Sequence, residues 1–374
     1  MERQIPDWMS PVFEREEHPF YVWEELMKTP ECLSSVLTES NRLLVRQAAE
    51  AVAGSNAVHL LGCGSSYFAG IAGAYLFNGA VGLPAYAYNA FEFSAYPPAR
   101  LKGSAVIGIS HTGGTAVVLD SLELAKRRGA AAVIGLTDVE RSPLTLAATH
   151  VIEGGGGREK PLPKTRSFAV SLLKMYLLAA EVGRLSGDRL EEMQAILEQS
   201  PDMARQVLDG SERLTGQIAA GLNPSSSVYL FGAGPNTASV LDGALKLQEM
   251  AQARAHAFEL EEGMHGPWVT MEPDDLVIVY AVRGPSFEKS KKLISALAPV
   301  GVNIWVLTDA PDSFAESGHH VTSLPDVPEL IAPLFSVLPL YEFTYRLALA
   351  RGIRPDAMRL TDERFLQTRL KLPR

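Results

Sequence analysis

Two short stretches of this 374-residue chain join glycines to hydroxyl side chains where a strand gives way to a helix. One is Ser110-His111-Thr112-Gly113-Gly114-Thr115. An apolar run precedes it at 105–109, and 116–128 follows, apolar on one helical face and basic at its end. Backbone N–H groups at a helix start lack partners within the helix, and the helix dipole favours an anion there. Ser110, Thr112 and Thr115 add neutral donors, while Gly113 and Gly114 let the backbone approach closely. A capped strand-to-helix turn that binds nothing uses the same residue types. The second stretch, Gly62-Cys63-Gly64-Ser65-Ser66-Tyr67, follows the apolar run 58–61. Tyr67 stands where the dinucleotide pattern GxGxxG needs its third glycine. Two turns with serine hydroxyls suit one phosphate monoester better than a pyrophosphate.

Acid–base groups lie later in the chain. Lys246 and Glu249 fall three apart on an expected helix at 239–252, and Glu262 and His265 belong to Glu262-Gly263-Met264-His265-Gly266-Pro267. A solvated i, i+3 pair is the plain reading of Lys246 and Glu249. Their apolar neighbours Leu245, Leu247, Met250 and Ala251 make a half-buried Glu249 reasonable. Burial would raise its pKa toward the range of a general base. His265 equally fits a structural histidine near a helix start.

The elements that must position these groups repeat. Runs at 58–61, 85–88, 105–110, 131–137 and 149–152 read as strands separated by helices, which implies a parallel sheet covered on both faces. A glycine-rich loop at 154–157 leads through Lys164-Thr165-Arg166-Ser167 into a long apolar helix at 168–185. Residues 186–225 read as a polar helical connector. Val228 to Gly234 then stands 170 positions after Val58 to Gly64, and the same offset places Gly73 on Gly243, Glu92 on Glu262 and His150 on His320. So long a match means two copies of one α/β unit. The expected organisation is a leader with helices at 20–32, stopped near Pro30, and 33–53. A first doubly wound subdomain at 54–200 and a second at 201–374 complete it. Only the first copy carries both hydroxyl-rich turns, so an anion pocket belongs there.

Composition narrows the function classes. The net charge is −9, and no basic run suggests nucleic-acid binding. Two cysteines, Cys32 and Cys63, make no disulfide framework and fit a reducing compartment. The charged first twenty residues do not read as a signal peptide, and no apolar run is long enough to span a membrane. A cytoplasmic protein without metal or cofactor is expected.

Taken together, GCGSSY (62–67), SHTGGT (110–115), DGALKLQE (242–249), ExxHGP (262–267) and the segment 328–352 resemble the sugar isomerase, or SIS, family. The similarity is to the isomerase half of glucosamine-6-phosphate synthase and extends over nearly the whole chain from about Phe20. The resemblance implies tandem flavodoxin-like subdomains and a phosphorylated sugar or amino-sugar substrate. It implies that Ser65, Ser66, Ser110, Thr112 and Thr115, with the backbone at His111, hold the phosphate. Glu249 would be the base moving a proton between C1 and C2, with Lys246 beside it. His265 would help open the sugar ring from a neighbouring subunit, so a homodimer or dimer of dimers is expected. Lys164, Thr165 and Glu262 would line the rest of the pocket.

This sequence also departs from the family pattern. It offers no glutamine-cleaving domain, and a closing-tail lysine that joins the open sugar falls on Glu363, with Lys371 the only nearby substitute. The glycine before the ExxH glutamate is Glu261, and a family glutamate seven residues after the base is His256. These changes point to a different substituent on nitrogen and leave three readings: an isomerase or deaminase of a phosphorylated amino sugar, a fructosamine 6-phosphate deglycase, and a non-catalytic sugar-phosphate sensor.

Overall fold

Five-residue strands buried along their whole length need helices on both sides, and that requirement shapes the chain. The computed structural model describes residues 9–187 and 190–372. Strands β1 (Val58–Gly62), β2 (Ala85–Asn89), β3 (Ala105–Ile109), β4 (Ala132–Leu136) and β5 (His150–Ile152) form one sheet in the order β2-β1-β3-β4-β5, all pairs parallel. Strands β6 (Val228–Gly232), β7 (Ala255–Glu259), β8 (Leu276–Tyr280), β9 (Asn303–Thr308) and β10 (His320–Ser323) form the other, in the order β10-β9-β8-β6-β7. From opposite ends these are one order, so the chain is a tandem of doubly wound α/β units.

Register repeats as well. Val58 pairs with Ala85 as Val228 pairs with Ala255. One step on, His59 stacks on Tyr86 with ring centroids 5.7 Å apart, and Tyr229 stacks on His256 at 5.1 Å. The two residue types have changed places while the contact survives.

The amino-terminal expectations need correcting. The segment read as helices 20–32 and 33–53 forms three: Tyr21–Met27, Thr29–Val36 and Glu39–Ala53. Pro30 does not stop a helix but lies in the first turn of one, where its missing N–H removes no intrahelical bond. Thr38 starts the third helix by accepting from the Asn41 amide. The leader is not wholly irregular. Residues 1–8 lie outside the described residues, but Ser10–Phe13 forms a 3-10 turn, and Met9 joins Leu360 and Leu366 in a small apolar cluster. Residues 186–225 are largely helical, as helices Glu191–Glu198 and Ser200–Gly221. The second of these packs on helix Leu338–Ala350.

The two units do not stand apart. One apolar core runs through both sheets, and helix Ser65–Leu76 of the first packs on helix Asn236–Ala251 of the second. That contact starts at the turn after β1. Gly62 there lies so close to the next helix that a Cβ would sit 2.4 Å from the Ser66 carbonyl carbon and 2.6 Å from the Tyr67 nitrogen. Backbone atoms cannot swing aside as a side chain can. Gly62→Ala should therefore cost about 1–3 kcal/mol of stability by forcing the turn apart. At Gly54 a Cβ meets nothing within 4 Å, and Gly54→Ala should stay within about 0.5 kcal/mol of the parent. Denaturant unfolding of both variants checks this; equal losses would show that the turn tolerates displacement.

Candidate functional site

In an open parallel sheet, ligands bind beyond the carboxyl ends of the strands where the strand order reverses. Here that point lies between β1 and β3, and the two glycine–hydroxyl turns follow those strands. Helices Ser65–Leu76 and Ala116–Arg127 begin at these turns, and neither has a side chain capping its first N–H groups. Ser110 is buried, its hydroxyl 2.9 Å from that of Thr115, while Thr112 accepts weakly from the Gly114 amide at 3.4 Å. Gly113 takes a left-handed φ of 64°, and a Cβ there would strike the Ser142 hydroxyl. Ser66 is half-buried at the opposite turn. Uncapped N–H groups and hydroxyls thus face one crevice.

His111 turns its ring away from that crevice and anchors the turn from beneath. The Glu159 amide donates to His111 Nε2 at 3.0 Å, so the ring proton is on Nδ1, which donates to Asp138 Oδ2 at 2.8 Å. Lys174 donates to the other Asp138 oxygen and to the Thr137 carbonyl, both at 2.7 Å. The Glu159 carboxylate accepts from the amides of Thr165 at 3.0 Å and Ser167 at 2.9 Å. Burial alone would push the Glu159 carboxyl up. His111, Lys164, Arg166 and the bond to Ser167 more than reverse this, to about 2. His111 therefore offers the crevice its backbone alone.

The second unit supplies the Lys246–Glu249 pair. On helix Asn236–Ala251, Asp242, Lys246 and Glu249 fall on one face, and Lys246 Nζ lies 2.6 Å from Glu249 Oε2. Lys246 is buried, but 16 % of the Glu249 side chain reaches solvent. Burial raises the Glu249 carboxyl above its ordinary range, although the neighbouring Lys246 opposes the shift. Burial works to lower the Lys246 ammonium, but Glu249 and Asp242 outweigh it, so the lysine stays charged. Asp242 is fully buried, takes the Tyr341 hydroxyl on one oxygen, and has no hydrogen bond on the other. Ser65 stands close enough to bias the Asp242 carboxyl downward against its burial, and Leu245 lies 3.6 Å from a Cβ placed on Gly64. Ser65 thus faces the helix that carries the base, at the seam between the units.

Other expected site residues are scattered. The Lys164 ammonium, half-buried, donates to the carbonyls of Glu159, at 3.0 Å, and Pro161. Thr165 points inward, its hydroxyl 3.4 Å from the Glu159 carboxylate. Arg166 is spent on Glu25 at 2.5 Å and on the carbonyls of Gly155, Gly156 and Gly157. Glu262 is exposed, and 70 % of the His265 side chain is exposed, with Glu261 as its partner at 3.2 Å. The His265 ring bonds Glu261, not the Lys246–Glu249 pair. In the tail, Glu363 opens helix Glu363–Lys371 on the surface and bonds Gln367, while Asp356 takes the amides of Tyr21 and Val22. Among the described residues, no three His, Cys, Asp or Glu side chains gather as a metal site.

Sequence reasoning missed Glu159, Asp138 and Asp242. The repeat held a signal for two of them: Glu159 falls on Glu329 and Asp138, one residue out of step, on Asp309. Asp309 accepts the Arg283 amide at 2.9 Å, so an aspartate after the fourth strand braces the preceding turn in both copies. Glu329 lies against the second copy's turns, where a Cβ on Gly284 would collide with its carboxylate.

Because the Glu159 carboxyl is held below its ordinary 4.5, the stability it contributes is complete above that value. It fades as pH falls toward about 2. Glu159→Gln should cost on the order of 3 kcal/mol at most near neutral pH, and the gap to the parent should close between about pH 5 and pH 2. Urea unfolding at stepped pH measures it. A gap that stays constant down to pH 3 would contradict an ionised, buried Glu159.

Residues 52–180 and 221–351 match the SIS domain, one stretch on each sheet. The chain is 30 % identical over 352 residues to the isomerizing glutamine–fructose-6-phosphate aminotransferase of Photorhabdus laumondii, covering 91 % of this chain and 57 % of that protein. To the enzyme of the same name from Escherichia coli K12 it is 29 % identical over 356 residues, with the same coverage. It thus spans little more than half the length of these relatives. Among solved structures, the C-terminal domain of glucosamine-fructose-6-phosphate aminotransferase from Francisella tularensis superposes with a TM-score of 0.83 at 19 % identity, covering 91 % of this chain and 98 % of that one. Glucosamine-6-phosphate deaminase from Thermotoga maritima gives 0.72 at 23 %, covering 90 % and 96 %. These two likenesses speak to the fold. With its two sheets each matched by the domain, the chain belongs to the SIS domain family.

Proposed function

We propose that this chain is an aldose–ketose isomerase and deaminase acting on a phosphorylated amino sugar. One observation carries the reading: the half-buried Lys246–Glu249 pair lies on a helix that packs against the helix begun by an uncapped glycine–hydroxyl turn. An anion handle and a base thereby share one crevice. Support also comes from relatives named as isomerizing aminotransferases and from a structural neighbour named as a glucosamine-6-phosphate deaminase.

The residues can do this chemistry without further groups. The phosphate, held by N–H groups and hydroxyls at 65–66 and 110–115, fixes the sugar and contributes binding energy far from the reacting carbons. Glu249 takes the proton from C2 of the open amino aldose and returns it at C1, leaving an imine at C2. Water adds there, ammonia leaves, and a ketose phosphate remains. Lys246 keeps the carboxylate in place and stabilises charge developing on the sugar oxygen. A sensor would have no use for a base with a raised pKa open to the crevice.

His265, exposed in a single chain, belongs in this reading to the site of a second copy. The active unit is then a dimer. Glu249→Gln keeps the shape but removes the base, and turnover of glucosamine 6-phosphate should fall about 10²–10⁴-fold with KM little changed. His265→Ala should also be weak. Dissociated and re-associated mixtures of the two variants should regain part of the parent activity, because some sites recover both groups. Mixtures as inactive as either variant would place each site within one chain.

A further inference from the structure

The helix that carries Glu249 also carries a rival for its lysine. Asp242, Lys246 and Glu249 share one face of helix Asn236–Ala251, so Lys246 can reach an acid four residues before it or one three residues after it. An acid four residues ahead of a lysine is a favourable helical partner. Lys246 nevertheless gives its ammonium to Glu249 at 2.6 Å, and no ion-pair contact with Asp242 accompanies it. Asp242 is fully buried, and one of its oxygens has no hydrogen bond. A sealed carboxylate with an empty oxygen should draw the nearest cation. The other Asp242 oxygen accepts from the Tyr341 hydroxyl, which comes from helix Leu338–Ala350, packed against the helix of Glu249. Tyr341 is fully buried, and burial together with the Asp242 charge keeps its hydroxyl well above the ordinary tyrosine value, so it remains a donor. Burial pushes the Asp242 carboxyl up, and Lys246, Ser65 and Tyr341 oppose that push. The hydroxyls of Tyr176 and Tyr280 are buried too, yet they bond nothing. Tyr341 is set apart from them by its partner.

We propose that Tyr341 is a positioning residue: by holding the Asp242 carboxylate toward its own helix, it leaves Lys246 to Glu249. This rests on the proposed acid–base role of Glu249 and adds a residue that acts on the pair only through Asp242. Without the hydroxyl, Asp242 loses its donor and takes the ammonium of Lys246. Glu249 then lacks the cation that orients it, and its carboxyl, already raised by burial, rises further. The phosphate handle lies at the turns of the first unit, so substrate binding is spared while the proton transfer suffers.

The test uses the purified full chain and Tyr341→Phe, which keeps the ring that fills the core and removes only the oxygen. With glucosamine 6-phosphate, kcat at neutral pH should fall about 10-fold while KM stays within about twofold. The acid limb of the rate profile should move to higher pH, because a carboxylate that loses its cation takes a proton more readily. Tyr280→Phe removes a buried hydroxyl that bonds nothing and should keep kcat within about twofold. In an Asp242→Asn background no charge competes for Lys246, so Tyr341→Phe should there cost less than about twofold. A role confined to packing would cost the same in both backgrounds. That result, or an unchanged kcat in Tyr341→Phe, overturns the role of Tyr341 and leaves the proposed function standing. A parent inert toward glucosamine 6-phosphate overturns the proposed function instead, and the crystal structure of Tyr341→Phe then decides on Tyr341 by itself. Lys246 Nζ should lie on Asp242 in that structure; an ammonium still on Glu249 overturns the inference.

Discussion

The packing of helix Asn236–Ala251 against helix Ser65–Leu76 is the contact on which the site depends. It joins the half of the chain that has the two uncapped glycine–hydroxyl turns to the half that has the Lys246–Glu249 pair. Gly62 lets the turn after β1 close tightly on its own helix, Gly64 lies against Leu245 across the seam, and the seam buries Asp242 beside Ser65. A buried carboxylate with one oxygen unpartnered is tolerable because the Lys246 ammonium lies one helical turn away. That lysine then sits between two acids. One is sealed in the interior, and the other is open to the crevice. Geometry thus separates a sealed carboxylate from a partly exposed one on a single helix face.

Duplication explains why the two halves could specialise. Both copies keep the strand order, the register and the aspartate that braces the third-strand turn. In the first copy the carboxylate after the fifth strand, Glu159, folds inward onto amides and leaves the turns free. In the second, Glu329 lies over the equivalent turn and accepts from Ser286 at 3.3 Å. Its own negative charge stands against an anion there. One copy therefore keeps its turns uncovered, while the other carries the Lys246–Glu249 pair on its first helix.

Much of this was legible from the residues. Buried five-residue runs at regular spacing, and a long match at an offset of 170, contain the two sheets almost strand for strand. Both hydroxyl turns and the Lys246–Glu249 spacing could be read because each is local. What could not be read depends on contacts between distant segments. Glu159 gains its role only when its loop closes on His111, 48 residues away. The amino-terminal helices were misread for a local reason, since Pro30 was taken for a stop where it serves as a first-turn residue. His265 shows the opposite case: its motif could be read, yet within one chain it lies on the surface with Glu261 as its partner.

The central claim is that Glu249 moves a proton between two carbons of a phosphorylated sugar. Incubating the protein with glucosamine 6-phosphate in heavy water, and following deuterium at C1 and C2 by NMR, tests it with little dependence on later steps. The parent should exchange a carbon-bound hydrogen with solvent during turnover, and Glu249→Gln should lose that exchange by about 10²-fold or more while still binding the sugar. Exchange at the parental rate in Glu249→Gln would place the base elsewhere and contradict the account.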